Sequence, residues 1–295
     1  MKCKEVAVST PSEIQFPDLK NKRACTIHHG RLPIKRALTT AYALSIVGAI
    51  LMATVSLGGL LHPFTFYPTD ELFQSFIAND VVNLFVGLPI LLGSMWLTRR
   101  GKLIGLLLWP GALLYILYNY IAYVFGIPYS LVTFAYLVLV VLSTYGFFDF
   151  LKNIDMKFVK AHLFEGVPVR AAGLVLVVFG VLFTFRAIGM IAVASMSQLM
   201  LPIYEVGVLI ADVVISLLFI VGGSLCLRRS SLGYVSGLGL LFVASMLFIG
   251  LITVILLQPV FTNAPFALVD IIVVFIMGLI CFIPFGFFIR KVPAL

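Results

Sequence analysis

Residues 88–118 read LPILLGSMWLTRRGKLIGLLLWPGALLYILY: two apolar runs separated by Arg99-Arg100-Gly101-Lys102. A soluble helix would show a polar face every three or four residues, and neither run does. Each run matches one side of a hydrophobic hairpin whose turn carries its charge, the pattern of consecutive membrane spans. Reading outward in both directions, the same alternation continues along the chain.

Composition agrees, with 62% hydrophobic and 11% charged residues and a mean hydropathy of +1.15, outside the range of a water-exposed surface. Breaks at Pro, Gly and charge predict eight spans at 37–61, 76–98, 103–125, 130–151, 171–195, 205–227, 232–257 and 267–289. The expected fold class is all-α, a polytopic integral membrane bundle of about eight transmembrane helices. Its principal partner is the lipid bilayer.

The net charge of +8 does not indicate nucleic acid, because the basic residues cluster between apolar segments. Lys and Arg fall in the first 36 residues, at 99–102, in 152–170, at Arg228-Arg229 and at Arg290-Lys291, all on one side of an eight-span chain. By the positive-inside rule both termini are cytoplasmic, with the cell membrane as the expected location. The alternate connections carry Asp70, Glu71 and Glu205 and almost no basic residue.

Comparing the chain with itself at an offset of about 132 residues aligns Asp80-Val81-Val82 with Asp212-Val213-Val214, and Gly101 and Gly105 with Gly233 and Gly237. This predicts two parallel four-helix repeats. The organisation read from sequence is a cytosolic, partly disordered tail at 1–36, repeat one at 37–151, a cytosolic linker at 152–170 and repeat two at 171–295. Gly101-xxx-Gly105 and Gly233-xxx-Gly237 are small-residue motifs for close helix packing, with a homo-oligomer contact as the competing use.

Polar residues inside apolar spans mark the candidate site. Arg186 is the one basic residue within a span, and an arginine near the bilayer centre costs on the order of 3 kcal/mol before a partner is found. At 1.5 Å per residue, Arg186 and Asp212 both lie about 24 Å from the inner boundary, Asn83 and Asn119 lie close to 25 Å, and Asp80 and Asp270 reach about 30 Å. These six residues predict a polar layer in the outer leaflet.

Three uses of Arg186 compete: snorkelling to headgroups, a structural pair with Asp212, and a functional pocket. Asp80 has no basic counterpart in its own half, which leaves it for solvent, a cation held with Asn79 and Asn83, or an exchanging proton. The aromatic stretch around His62, Pro63, Phe64, Phe66, Tyr67 and Pro68 reads as an outer interfacial segment. Tyr115, Tyr118, Tyr120, Tyr123 and Tyr129 read as an aromatic belt, or as a stacking wall for a flat ligand such as a quinone.

HExxH, GxSxG and P-loop patterns are absent from the sequence, so the reading leans away from an enzyme. Cys25, His28 and His29 form only half of a zinc site, and no cofactor is identified. Two functions remain foremost. One is a translocator of a small solute or ion, or a membrane subunit of one. The other is a noncatalytic component that binds a lipid or protein partner, and an intramembrane lipid- or quinone-handling enzyme stands behind both.

Overall fold

The computed structural model describes residues 32–163, 168–198, 200–261 and 265–292. Cys25, His28 and His29, named above, lie outside these residues. The helices are α1 (Thr39–Leu61), α2 (Pro63–Phe66), α3 (Asp70–Val82), α4 (Leu88–Arg99), α5 (Leu103–Gly126), α6 (Leu131–Asn153), α7 (Met156–Leu163), α8 (Val169–Ser197), α9 (Ile203–Leu227), α10 (Ser231–Phe261) and α11 (Leu268–Lys291). A π-helical turn, Asn83–Gly87, joins α3 to α4, so that Asp70–Arg99 forms one continuous span.

Among the described residues, eight helices are long and apolar enough to cross a membrane. The second starts six residues before the expected 76. Thr69 caps it, accepting from the Leu72 amide at 3.3 Å, while Asp70 and Glu71 favour the positive end of the helix dipole. That polar first turn lowers hydropathy without weakening the helix. The connection after α6 forms the amphipathic α7, which buries Val159 and Leu163 and packs against α10.

The centre of the bundle is α5, which packs on α4, α6, α9 and α10. In its most apolar window 78% of the residues are buried, against 17% in α11, so α5 is core while α11 presents most of its surface to lipid. Lipid is as apolar as a leucine side chain, so burial between helices in the membrane depends on close packing rather than on escape from water. Small residues supply that fit. A Cβ on Gly111 of α5 would stand 2.5 Å from the Gly239 carbonyl oxygen of α10, so these two backbones meet without side chains between them.

The two small-residue motifs act inside hairpins. A Cβ on Gly105 would lie 2.6 Å from the Thr98 amide nitrogen, and one on Gly233 would lie 2.7 Å from that of Cys226. Each glycine thus closes the tight connection that leads into its own helix. The connections are alike in detail: Arg100 N–H donates to Trp96 and Lys102 N–H to Leu97, as Arg228 does to Ser224 and Ser230 to Leu225. Gly101 (φ +75°) and Arg229 (φ 50°) occupy the same left-handed position. The geometric match is therefore Gly105 with Gly233, four residues away from the pairing that sequence comparison prefers.

The expected aromatic belt is largely turned inward. Tyr115, Tyr120 and Tyr123 are buried, as is Tyr67 from the connection between α1 and α3, whereas Phe64 and Tyr129 are exposed. Amphipathic rings favour the headgroup level only when their hydroxyls lack a partner inside the protein, and three of these hydroxyls have one.

Gly111→Ala is expected to destabilise the bundle by about 2 kcal/mol, the usual cost of overpacking. Gly93→Ala, where a Cβ meets nothing within 4 Å, should stay within about 0.5 kcal/mol of wild type. Reversible unfolding in mixed micelles, comparing the two variants, measures the difference.

Candidate functional site

On α5, Tyr115, Tyr118, Asn119 and Ala122 follow the i, i+3, i+4, i+7 spacing of one helix face. That face borders a cavity of ≈ 260 Å³. Asn79 enters from α3, Arg186 and Phe183 from α8, and Asp212 and Val208 from α9, while Leu247, Phe248, Gly250, Leu251 and Val254 of α10 supply an apolar wall. The cavity thus has one polar side and one apolar side.

Asp212 anchors the polar side. Its Oδ1 accepts from the Tyr118 hydroxyl at 2.9 Å, and its Oδ2 is paired with Nη1 of Arg186. Just below, Thr184 donates to the Ser216 hydroxyl at 3.1 Å across the same seam. There Gly180 lets α8 approach: a Cβ on it would lie 2.8 Å from the Ser216 carbonyl oxygen. Helices α8 and α9 are therefore joined by small residues, a hydroxyl pair and then an ion pair, in that order along the seam.

Burial is unequal across the pair, with 7% of the Asp212 side chain exposed against 48% of Arg186. A guanidinium has five N–H donors in a planar fork, and one carboxylate uses only part of that capacity. Arg186 also borders a second, more open cavity of ≈ 560 Å³, with Gly189, Met190, Ser197, Pro202 and Glu205 around it. The arginine therefore stands between the interior cavity and the end of the bundle where α8 finishes and α9 begins.

Asp80 occupies a different environment. Its carboxylate is 1% exposed and accepts from Tyr67 at Oδ2 and from Tyr123 at Oδ1, the latter at 3.1 Å. Ser56 of α1 adjoins the group and pairs with Tyr120 at 3.5 Å. Phe76 and Tyr136 close the cage, the Tyr123 ring centroid lying 4.7 Å from Phe76 and 5.0 Å from Tyr136. A Cβ on Gly59 would collide with the carboxylate and lie 3.0 Å from the Tyr67 hydroxyl, so glycine leaves room for both. Burial, and secondarily the neighbouring Asp80, pushes the Tyr67 hydroxyl well above its ordinary range, so it remains a donor.

The six residues of the expected layer are thus divided. Arg186, Asp212 and Asn119 share the cavity, and Asn119 donates to the Tyr115 carbonyl at 2.9 Å. Asp80 lies in the tyrosine cage instead of at a wet interface. Asn83 is buried in the π turn, and its Nδ2 has no hydrogen-bond partner. Asp270 is exposed in the first turn of α11. Consecutive helical residues differ by about 100° in direction, so Asn79 borders the cavity while Asp80 enters the cage, and they do not converge on one cation.

Sequence reasoning missed Tyr67, Tyr123, Tyr136 and Ser56 as partners of Asp80. For α5 the spacing separates only Tyr120 clearly: Tyr123 follows Asn119 by four residues and Tyr115 by eight, so helical periodicity groups it with the cavity face. Compared with known proteins, the chain matches no family model, no curated protein and no solved structure.

Arg186→Met and Asp212→Asn are each expected to cost roughly 1–2 kcal/mol through loss of the charge-assisted bond. The combined Arg186→Met/Asp212→Asn change should cost clearly less than the sum, since neither partner then keeps an unpaired charge. A double-mutant cycle on equilibrium unfolding gives the coupling directly.

Proposed function

We propose that this multi-pass membrane protein binds a small amphiphilic solute in the cavity between α5, α8, α9 and α10 and moves it across or within the bilayer. The observation that carries this reading is the placement of Arg186, Asp212, Asn79 and Asn119 around a cavity whose opposite wall is apolar. Charge is balanced within the ion pair, so the preferred occupant is neutral or zwitterionic, with one hydrogen-bonding end and an apolar body. The volume of ≈ 260 Å³ lies just below the roughly 300–1,000 Å³ common for ligand pockets, which favours a small molecule. Arg186, bordering both cavities, provides a polar step on a lateral route from the outer leaflet.

The same reading places the protein in the cell membrane with both termini cytoplasmic and takes its two halves as parallel repeats. What supports the duplication is the sequence match of Asp80-Val81-Val82 with Asp212-Val213-Val214; the two tight connections match at a different offset and share the common left-handed helix ending. The alternative is a noncatalytic component whose cavity holds a structural lipid; the half-exposed Arg186 side chain favours it, since an outer-leaflet headgroup can reach the guanidinium.

Native mass spectrometry of gently extracted protein, alongside Leu251→Trp, separates these readings. A solute-binding protein should carry a stoichiometric small molecule that Leu251→Trp loses while remaining folded. Retention of a phospholipid by both forms favours the noncatalytic component, and two empty forms of equal stability defeat the cavity as a site. Orientation has its own check: with Cys3 and Cys25 replaced by Ser, Phe64→Cys should react with an impermeant maleimide added outside intact cells, and Arg36→Cys should not.

A further inference from the structure

A buried carboxylate in a membrane bundle ordinarily has a cation beside it, because the ionised form is costly in hydrocarbon. Among the described residues the ion pair of this protein belongs to Asp212, and the hydrogen bonds to the Asp80 carboxylate come from the tyrosine hydroxyls of Tyr67 and Tyr123. The titratable groups that face it are Tyr67 from the outer connection, Tyr120 and Tyr123 from α5, and Tyr136 from α6. From α1 come Ser56 and Gly59, neither of which ionises.

The bonding capacity of this cage fits two protonation states. With Asp80 ionised, Tyr67 and Tyr123 each donate to one carboxylate oxygen. With Asp80 protonated, the carboxyl O–H needs an acceptor. The Tyr123 hydroxyl can supply it, because it has a second place for its own hydrogen: the Phe76 carbonyl oxygen at 3.3 Å. Turning that one O–H from Asp80 to Phe76 frees a lone pair for the carboxyl proton, and no heavy atom has to move. Tyr67 keeps its bond to the other oxygen throughout.

We infer that Asp80 is a proton-binding site, taking up and releasing a proton within the tyrosine cage, with Tyr123 reorienting between Asp80 and Phe76. This proton is bound by a group separate from the solute cavity, so the inference does not rest on the proposed function. The entry side is the connection from His62 to Thr69, since Tyr67 there is the partner of Asp80 nearest the outer connection while His62 and Thr69 beside it are exposed.

Infrared difference spectroscopy of the full chain in lipid nanodiscs, titrated between about pH 4 and 9, tests the inference. The wild type should show a protonated-carboxyl C=O band that appears as pH falls and is lost in Asp80→Asn. Tyr123→Phe and Tyr67→Phe keep the carboxyl but remove a partner, so each should displace the band and its titration midpoint. Asp212→Asn should leave it in place. If Asp80→Asn fails to fold, the two tyrosine variants decide: displacement supports the site, and an unmoved band overturns it. A band that Asp80→Asn leaves unchanged, or one present at constant intensity across the whole range, also overturns it.

Discussion

Hydrocarbon offers no hydrogen bonds, so polar groups within the spans turn to the protein for partners, and among the described residues few, such as Asn83 Nδ2, are left without one. This constraint organises the structure more than hydrophobicity does, since almost any apolar sequence would remain in lipid. Trp109 donates to Ser45 at 3.0 Å, Tyr42 to the Met95 carbonyl at 3.2 Å, and the Thr98, Ser143 and Thr144 hydroxyls return to carbonyls four residues earlier in their own helices. Where a span carries a charge, the requirement reaches across helices. Arg186 with Asp212 fixes α8 on α9, and Asp80 with Tyr67 and Tyr123 fixes the α1–α3 connection and α3 on α5.

The central position of α5 follows from the same constraint. A helix buried on all sides has no lipid-facing surface to absorb a poor fit, so its neighbours must approach through small residues. Gly111 meets α10, and Gly207 of α9 meets α5 so closely that a Cβ would lie 2.5 Å from the Gly126 amide nitrogen. The tyrosines then serve two faces of one helix, the cavity and the cage. These two polar sites are adjacent along the chain yet separate in bonding.

Much of this architecture was legible in the sequence, because span length and charge placement are one-dimensional properties. Equal heights along neighbouring helices also placed Arg186 level with Asp212, and the two are paired in the structure. The first turn of α3 was not legible from hydropathy, which registers Asp70 and Glu71 as polar and takes no account of the Thr69 cap. Nor was the cage. Tyr67 reaches Asp80 from a connection broken by Pro63 and Pro68, where helical spacing gives no guide to direction. The inward turn of Tyr123 was hidden because its spacing from Tyr115 and Asn119 places it at the edge of the cavity face, and only its tertiary partners draw it into the cage. Neither the solute nor the direction of any transport is encoded in a feature as simple as spacing.

The ion pair also bears on how the protein reaches the membrane. During synthesis α8 emerges before α9, so for a time Arg186 has no Asp212. A helix with an unpaired arginine partitions poorly into lipid, whereas an α8–α9 hairpin with the charge neutralised does not. The short connection between Ser197 and Ile203 and the glycine-lined seam allow the two helices to close against each other early. Closing the α8–α9 hairpin therefore removes the cost of the unpaired arginine from this part of the bundle.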